Sequence, residues 1–550
     1  MAQGVAGDQP ASTSAGFLDR ESIVAKAGFN RWLIPPCALA IHLCIGMAYG
    51  FSVFWLPLSK SIGIGKAVAC PAGAGLMQML TTSSCDWSVS QLTLTYSLFF
   101  VVLGSASAIW GGWLERAGPR KAGVVAALCW CGGMVLGAIG VKTHQLWLLW
   151  LGSGVLGGIG LGIGYITPVS TLIKWFPDKR GMATGMAIMG FGGGAMIGSP
   201  LADILMKHFA SASSVGVAPT LVVMAAGYFV FMLGGAFSFR VPPDHWTPEG
   251  WTASPKTGKG ISAFNVHLKD AHKTPQFWLV WCVLLLNTSA SIGIIGVASP
   301  MIQQIFGGHL IGAPGVDFAH LDKGQAAMTA TVAAGFVGLL SLFNIGGRFF
   351  WASASDLIGR KMTYAVMLAL GAFLFGAIAT WSATAAVLAA FVLSFCITTS
   401  MYGGGFSTVP AYLADVFGTQ YVGAIHGRLL TAWSTAGILG PFIVAGVQDR
   451  YKAAGGAVSA ASIYQPVFLL LAGLLVAGFL LNLLVKPVSD RWHMTGEEAR
   501  TALAESHGSA GIDRGRFDAI TALAWAAVGI PLLWGVWVTL TKAITLFHQG

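Results

Sequence analysis

Charge is what this 550-residue chain has least of. Only 9% of its residues are Asp, Glu, Lys or Arg, while 55% are hydrophobic; soluble domains carry about a quarter charged residues. So little charge excludes a soluble core of this size and points to apolar segments that face lipid or one another. Acidic residues are missing from the centres of the apolar runs, which argues against carboxylate-based proton coupling and suits an anionic ligand. The eight cysteines form no metal-binding spacing, so no metal and no cofactor is expected. Six of them (Cys37, Cys44, Cys129, Cys131, Cys282, Cys396) lie in apolar runs, where a thiol simply packs. Cys70 and Cys85 lie in a long first loop, where they form either a disulfide or two free thiols. No cleavable leader is expected, because the polar stretch 1–31 precedes a run long enough to span.

What the sequence does have is length of apolar run. Runs near 32–57, 90–113, 122–141, 146–173, 181–206, 219–240, 276–306, 326–352, 362–381, 385–413, 426–448 and 465–486 each reach the ~20 residues a crossing helix needs. An all-α polytopic membrane protein follows, with a tail over 1–31, a six-helix bundle over 32–240, a linker over 241–275 and a second bundle over 276–486. A charged segment, 487–516, then leads to a further apolar run, 517–540. The run lacks a charged face and carries Trp534 and Trp537, so it reads as a thirteenth transmembrane helix rather than a surface one.

Lys and Arg collect in alternate connections. One set holds Arg116, Arg120 and Lys121; Lys174, Lys179 and Arg180; Arg240, Lys256, Lys259, Lys269 and Lys273; and Arg360 and Lys361. The others hold fewer, which by the positive-inside rule places the N-terminus in the cytoplasm. The formal charge of +10 is therefore a topology signal, and no nucleic acid is implied. Gly152 to Gly164 includes a G-x-G-x-x-G string, but no strand precedes it and it reads as close helix packing.

An intramembrane charge is costly, so the ionisable residues inside the runs are the first functional candidates. Arg348 lies about two turns above the turn that follows Asp356. It either snorkels to the headgroups or points inward as a cationic fork for a carboxylate. Asn344, one turn above, can bond the arginine, the substrate or a backbone carbonyl. His42 is either a proton carrier or a neutral core histidine. Tyr49, Tyr165, Tyr402 and Trp433 either wall a small site or serve as packing.

The motif Gly111-Gly-Trp-Leu-Glu115-Arg116-Ala-Gly118-Pro-Arg120-Lys121 has a degraded copy at Asp356-Leu-Ile-Gly359-Arg360-Lys361. This pair resembles the loops after the second and eighth helices of the major facilitator superfamily. Lys174-Trp-Phe-Pro-Asp-Lys-Arg-Gly-Met-Ala-Thr-Gly185, Tyr49-Gly-Phe-Ser-Val-Phe-Trp-Leu-Pro, Asn344-Ile-Gly-Gly-Arg348, Tyr402-Gly-Gly-Gly-Phe406 and Gly437-Ile-Leu-Gly-Pro441 are similar to its oxalate–formate antiporter branch, which is related to the monocarboxylate carriers. The resemblance implies a major facilitator fold, alternating access and a small organic anion as partner. Arg348 would bind the carboxylate and the 111–121 and 356–361 turns would lock one state. It also implies a bacterial inner-membrane setting and a working monomer. Trp433 appears where the antiporter has a second cation and Asn344 where the carriers have an acid, which favours formate, lactate or pyruvate over oxalate. His426 and Arg428 open the eleventh run and either supply the missing charge or belong to the inner loop. A drug or sugar as cargo, or a transporter-like sensor, are the alternatives. An enzyme is not expected, since no His/Asp/Glu cluster gathers at one face.

Overall fold

The computed structural model describes residues 16–26, 28–64, 68, 70, 80–87, 89–243, 246–248, 265–295, 298–313, 316, 320–380, 385–440, 443, 460–495 and 518–543. Eleven helices among them are long and apolar enough to cross a membrane. The elements that matter below are α1 (Ile34–Ile45, continued by a 3-10 stretch Gly46–Phe54), α2 (Val89–Ala117), α3 (Pro119–Lys142), α4 (Gly157–Trp175), α5 (Arg180–Phe209) and α6 (Val217–Ser238). They are followed by α7 (Pro275–Ile295), α8 (Lys323–Ile358), α9 (Arg360–Thr380), α10 (Ala385–Phe417), α11 (Val422–Leu429, with a second helical stretch over 431–440), α12 (Ala460–Leu484) and α13 (Ala519–Ala543).

Apolar run length sets where these helices fall, but the backbone is less uniform than the runs. The first run changes to 3-10 geometry at Gly46. The fourth starts with Leu146–Leu149 and a π stretch, Trp150–Leu156, before α4. The seventh yields two described helices, α7 and Ala298–Phe306. The eighth runs on to Ile358, which puts Asp356 in its last turn. Much of the linker, all of 496–516 and most of the end of the run at 426–448 lie outside the described residues.

Motif and copy share a physical cause. Gly118 has φ 82° and Gly359 has φ 84°, the left-handed region that favours glycine, and each permits the sharp turn from one helix into the next. Helices α1–α6 and α7–α12 pack mainly among themselves, with seams between the sets at α5–α8, α5–α10 and α2–α11. α13 runs along α1, α5 and α8. Asn30 Nδ2 donates to Thr521 Oγ1 at 2.9 Å and Trp525 Nε1 to Trp32 O at 3.1 Å, so α1 and α13 start on the same face. We call this the linker face, since Val241 also pairs there with Val24.

On the opposite face the first loop is tied down. Cys70 and Cys85 form a disulfide. Asp86 accepts from the backbone N–H of Ile62 (2.7 Å), Gly63 (3.2 Å) and Val68 (2.9 Å). His144 stacks on Trp87 at 4.2 Å between ring centres.

Candidate functional site

Arg348 is fully buried, which excludes the snorkelling reading. Its Nε donates to Asn344 Oδ1 at 2.9 Å, the i−4 contact available on one helix face, and its Nη1 donates to Ile188 O of α5 at 3.3 Å. Nη2 has no partner. No carboxylate pairs with the guanidinium among the described residues, and Asn344 orients the charge without cancelling it.

Rings close around this cation. Its Cζ lies 6.0 Å from the Phe191 ring and 5.9 Å from the Phe406 ring. Trp433, fully buried, is their hub: it lies 4.5 Å from Phe406, 5.2 Å from Phe100, 5.6 Å from Tyr165, 5.7 Å from Phe191 and 6.2 Å from Tyr49. Tyr402 joins through Phe406 at 5.3 Å. The structure thus brings Arg348, Asn344, Tyr49, Tyr165, Tyr402 and Trp433 together from α8, α1, α4, α10 and the 431–440 stretch. Trp433 Nε1 is buried here without a partner, and the Tyr49 and Tyr165 hydroxyls turn toward the guanidinium. The arginine and the indole can only donate, and the hydroxyls can also donate. Side-chain donors gathered around one uncancelled cation are chemistry for an anion.

His42 is close to this cluster but separate from it. Its ring stacks on Tyr165 at 5.3 Å, with Nδ1 2.7 Å from Ala187 O and Nε2 3.1 Å from Tyr165 O. His426 is fully buried with its ring 5.9 Å from that of Tyr165. The physical reason is that α11 begins at Val422, so His426 is one turn into a packed helix. Arg428 does lie at the linker face, donating to Leu268 O at 2.5 Å. Phe100, Phe191 and Phe406 are the members that sequence reasoning passed over.

Below the site the linker face is shut by contacts between the two helix sets. Asp356 accepts from Gly181 N (2.9 Å) and Met182 N (2.8 Å), capping α5, and also pairs with Arg360 at 2.5 Å. Asp415 of α10 takes Arg180 at 3.2 Å and Arg360 at 3.5 Å. Glu115 pairs with Lys174 at 2.5 Å and accepts from Ser170 at 2.9 Å, both on α4 and not on the other set. Arg120 donates to Phe17 O at 2.8 Å. At the α2–α11 seam, a side chain on Gly427 would meet Ser107 O, and one on Gly111 would come within 2.7 Å of Ala424 Cα.

The Major Facilitator Superfamily model matches residues 39–441. The chain belongs to that superfamily and is an integral membrane transporter, not an enzyme. It is 25% identical over 428 residues to the oxalate:formate antiporter of Oxalobacter formigenes, covering 77% of this chain and 86% of that one. It is 24% identical to apicoplast pyruvate carrier 1 of Toxoplasma gondii, covering 54% of this chain and 58% of the relative. The crystal structure of the Escherichia coli fucose:proton symporter shares the fold, with a TM-score of 0.55 at 12% identity over 83% of this chain and all of the other.

Proposed function

We propose that this transporter moves small organic monocarboxylates such as formate, lactate or pyruvate across a bacterial inner membrane, as a monomer and by alternating access. The observation that carries this is Arg348: a buried cation with no acid paired to it among the described residues, ringed by side chains that can donate. One carboxylate supplies the missing charge and takes the fork in bidentate fashion, while Trp433 and the tyrosines bond its free edges. Oxalate, with two charges, would leave one facing the Trp433 indole and the Phe100 and Phe406 rings. The printed names of the relatives, an oxalate:formate antiporter and a pyruvate carrier, support a carboxylate cargo.

The linker face is the cytoplasmic one in this reading, since the basic connections gather there. The ionic contacts of Asp356 and Asp415 and the tight α2–α11 seam hold it closed while the anion enters from the other side. The Arg348–carboxylate pair then moves as a neutral unit through the rocking step, at a smaller desolvation cost than either ion alone.

The test is uptake of labelled formate, lactate, pyruvate and oxalate by reconstituted vesicles, with and without internal anion. Arg348→Gln is expected to lower monocarboxylate flux by roughly 30-fold or more, the effect of removing one partner of a buried charge pair. Fast oxalate exchange, or full flux in the variant, would contradict the assignment.

A further inference from the structure

We propose that α13 is the outer wall of the anion site and that Leu532 is a positioning residue. It fixes how closely α5 stands to Arg348, and through that contact it sets the affinity for the carboxylate. The inference rests on the monocarboxylate reading above and adds a residue from outside the two helix sets.

The wall between Arg348 and α13 is thin, because α5 turns two adjacent glycines to opposite neighbours. A methyl group on Gly192 would stand 3.1 Å from Arg348 Nε, and one on Gly193 would come within 2.8 Å of Leu532 Cδ1. Small residues let helices approach to backbone distance. They also leave no side chain whose rotamers absorb a shift, so α5 passes a displacement on one side straight to the other. What it passes on is a hydrogen bond. Arg348 Nη1 donates to Ile188 O, one turn before Gly192 on the same helix, at 3.3 Å. At that length a few tenths of an ångström more ends the bond.

Lipid tails are fluid and cannot hold such a distance, whereas α13 is fixed. Thr521, Trp525, Val528, Leu532 and Gly535 recur at intervals of four and three, so they share one helix face. Thr521 and Trp525 bond Asn30 and Trp32 O ahead of α1, and Val528 packs with Leu39 and Ala40 of α1. A methyl group on Gly535 would stand 3.1 Å from Ile197 of α5. Leu532 is therefore held from both sides over Gly193. The other face, with Leu523, Ile530, Leu533 and Trp537 exposed, is left to lipid. α13 also runs along α8, so it follows both helices whose seam holds the guanidinium.

Full-length protein in vesicles gives the test, as a split between KM and maximal rate for exchange of labelled pyruvate. Leu532→Ala empties the space over Gly193, α5 relaxes into it, and Arg348 loses its Ile188 contact. KM is expected to rise roughly fivefold while the maximal rate stays within about twofold of wild type. Gly193→Val crowds the same space and is expected to raise KM as well. The double variant Gly193→Val/Leu532→Ala conserves the volume of the interface and should return KM toward wild type. Val528→Ala is the control. It removes a buried group of the same face against α1, so its thermal midpoint should fall as that of Leu532→Ala does, with KM unchanged. Where Leu532→Ala fails to assemble, Leu532→Val repeats the measurement with a smaller expected rise. A Leu532 variant with wild-type KM, an equal rise in KM for Val528→Ala, or a double variant no better than the worse single would each overturn this proposal alone. Wild type that exchanges no monocarboxylate overturns the functional reading, and this inference with it.

Discussion

At the scale of the residue, the site depends on a guanidinium that is oriented and not neutralised. Asn344 does this through one oxygen, 2.9 Å from Arg348 Nε. Asn344→Asp would keep that oxygen and add the charge that cancels the arginine. We expect the fold to survive and monocarboxylate binding to weaken by roughly tenfold or more, because the internal ion pair must be broken for the substrate. Measured affinity by labelled-pyruvate binding checks this, and unaltered affinity would show that the cation is not the anchor. Arg348 and Asn344 were legible in the sequence because an arginine in an apolar run demands a reason and i,i+4 spacing is local. Phe191 and Phe406 were not, since with 32 phenylalanines in the chain only the tertiary fold shows which rings meet. For His426 the sequence left the inner loop and the site both open, because its burial comes from distant helices.

At the scale of the element, the helices followed from run length, and the 3-10 stretch after Gly46 did not, since it arises where α1 packs on α5. The first loop shows how a polar anchor substitutes for apolar packing. Burial pushes the Asp86 carboxyl up, but the backbone N–H groups of Ile62, Val68 and Gly63, with His144 nearby, hold it net below its ordinary value. A carboxylate depressed in the folded state stabilises it above the ordinary carboxylate pKa of about 4, and that stabilisation is lost as pH falls through the depressed value. Hydrogen exchange at Ile62, Gly63 and Val68 should therefore stay slow at neutral pH and rise in acid below that range. Asp86→Asn should show the faster exchange already at neutral pH with the Cys70–Cys85 bond intact. Equal exchange in both proteins would remove the carboxylate from the account.

At the scale of the whole molecule, the two helix sets are joined on the linker face by few charges. Among the described residues, Asp415 is the acid that pairs with both Arg180 of α5 and Arg360 of α9, across a sequence separation of 235 to Arg180. Distance of this kind explains why the Gly118 and Gly359 turns could be read from the motif while Asp415 could not. Asp415→Asn should leave Arg180 without its ion-pair partner and Arg360 with Asp356 alone, and shift the population toward a state open on this face. Faster modification of a cysteine placed at Ser170 by a membrane-impermeant thiol reagent, applied from the linker side, would register the shift. Unchanged labelling would assign the closure to the glycine seam at Gly111 and Gly427.

The thirteenth helix also sets an order of assembly. Thr521 and Trp525 meet Asn30 and Trp32, residues that leave the ribosome almost five hundred positions earlier. The flank of α1 and α5 must therefore wait in lipid until the final 25-residue helix inserts. The first helix made is among the last to be fully surrounded by protein.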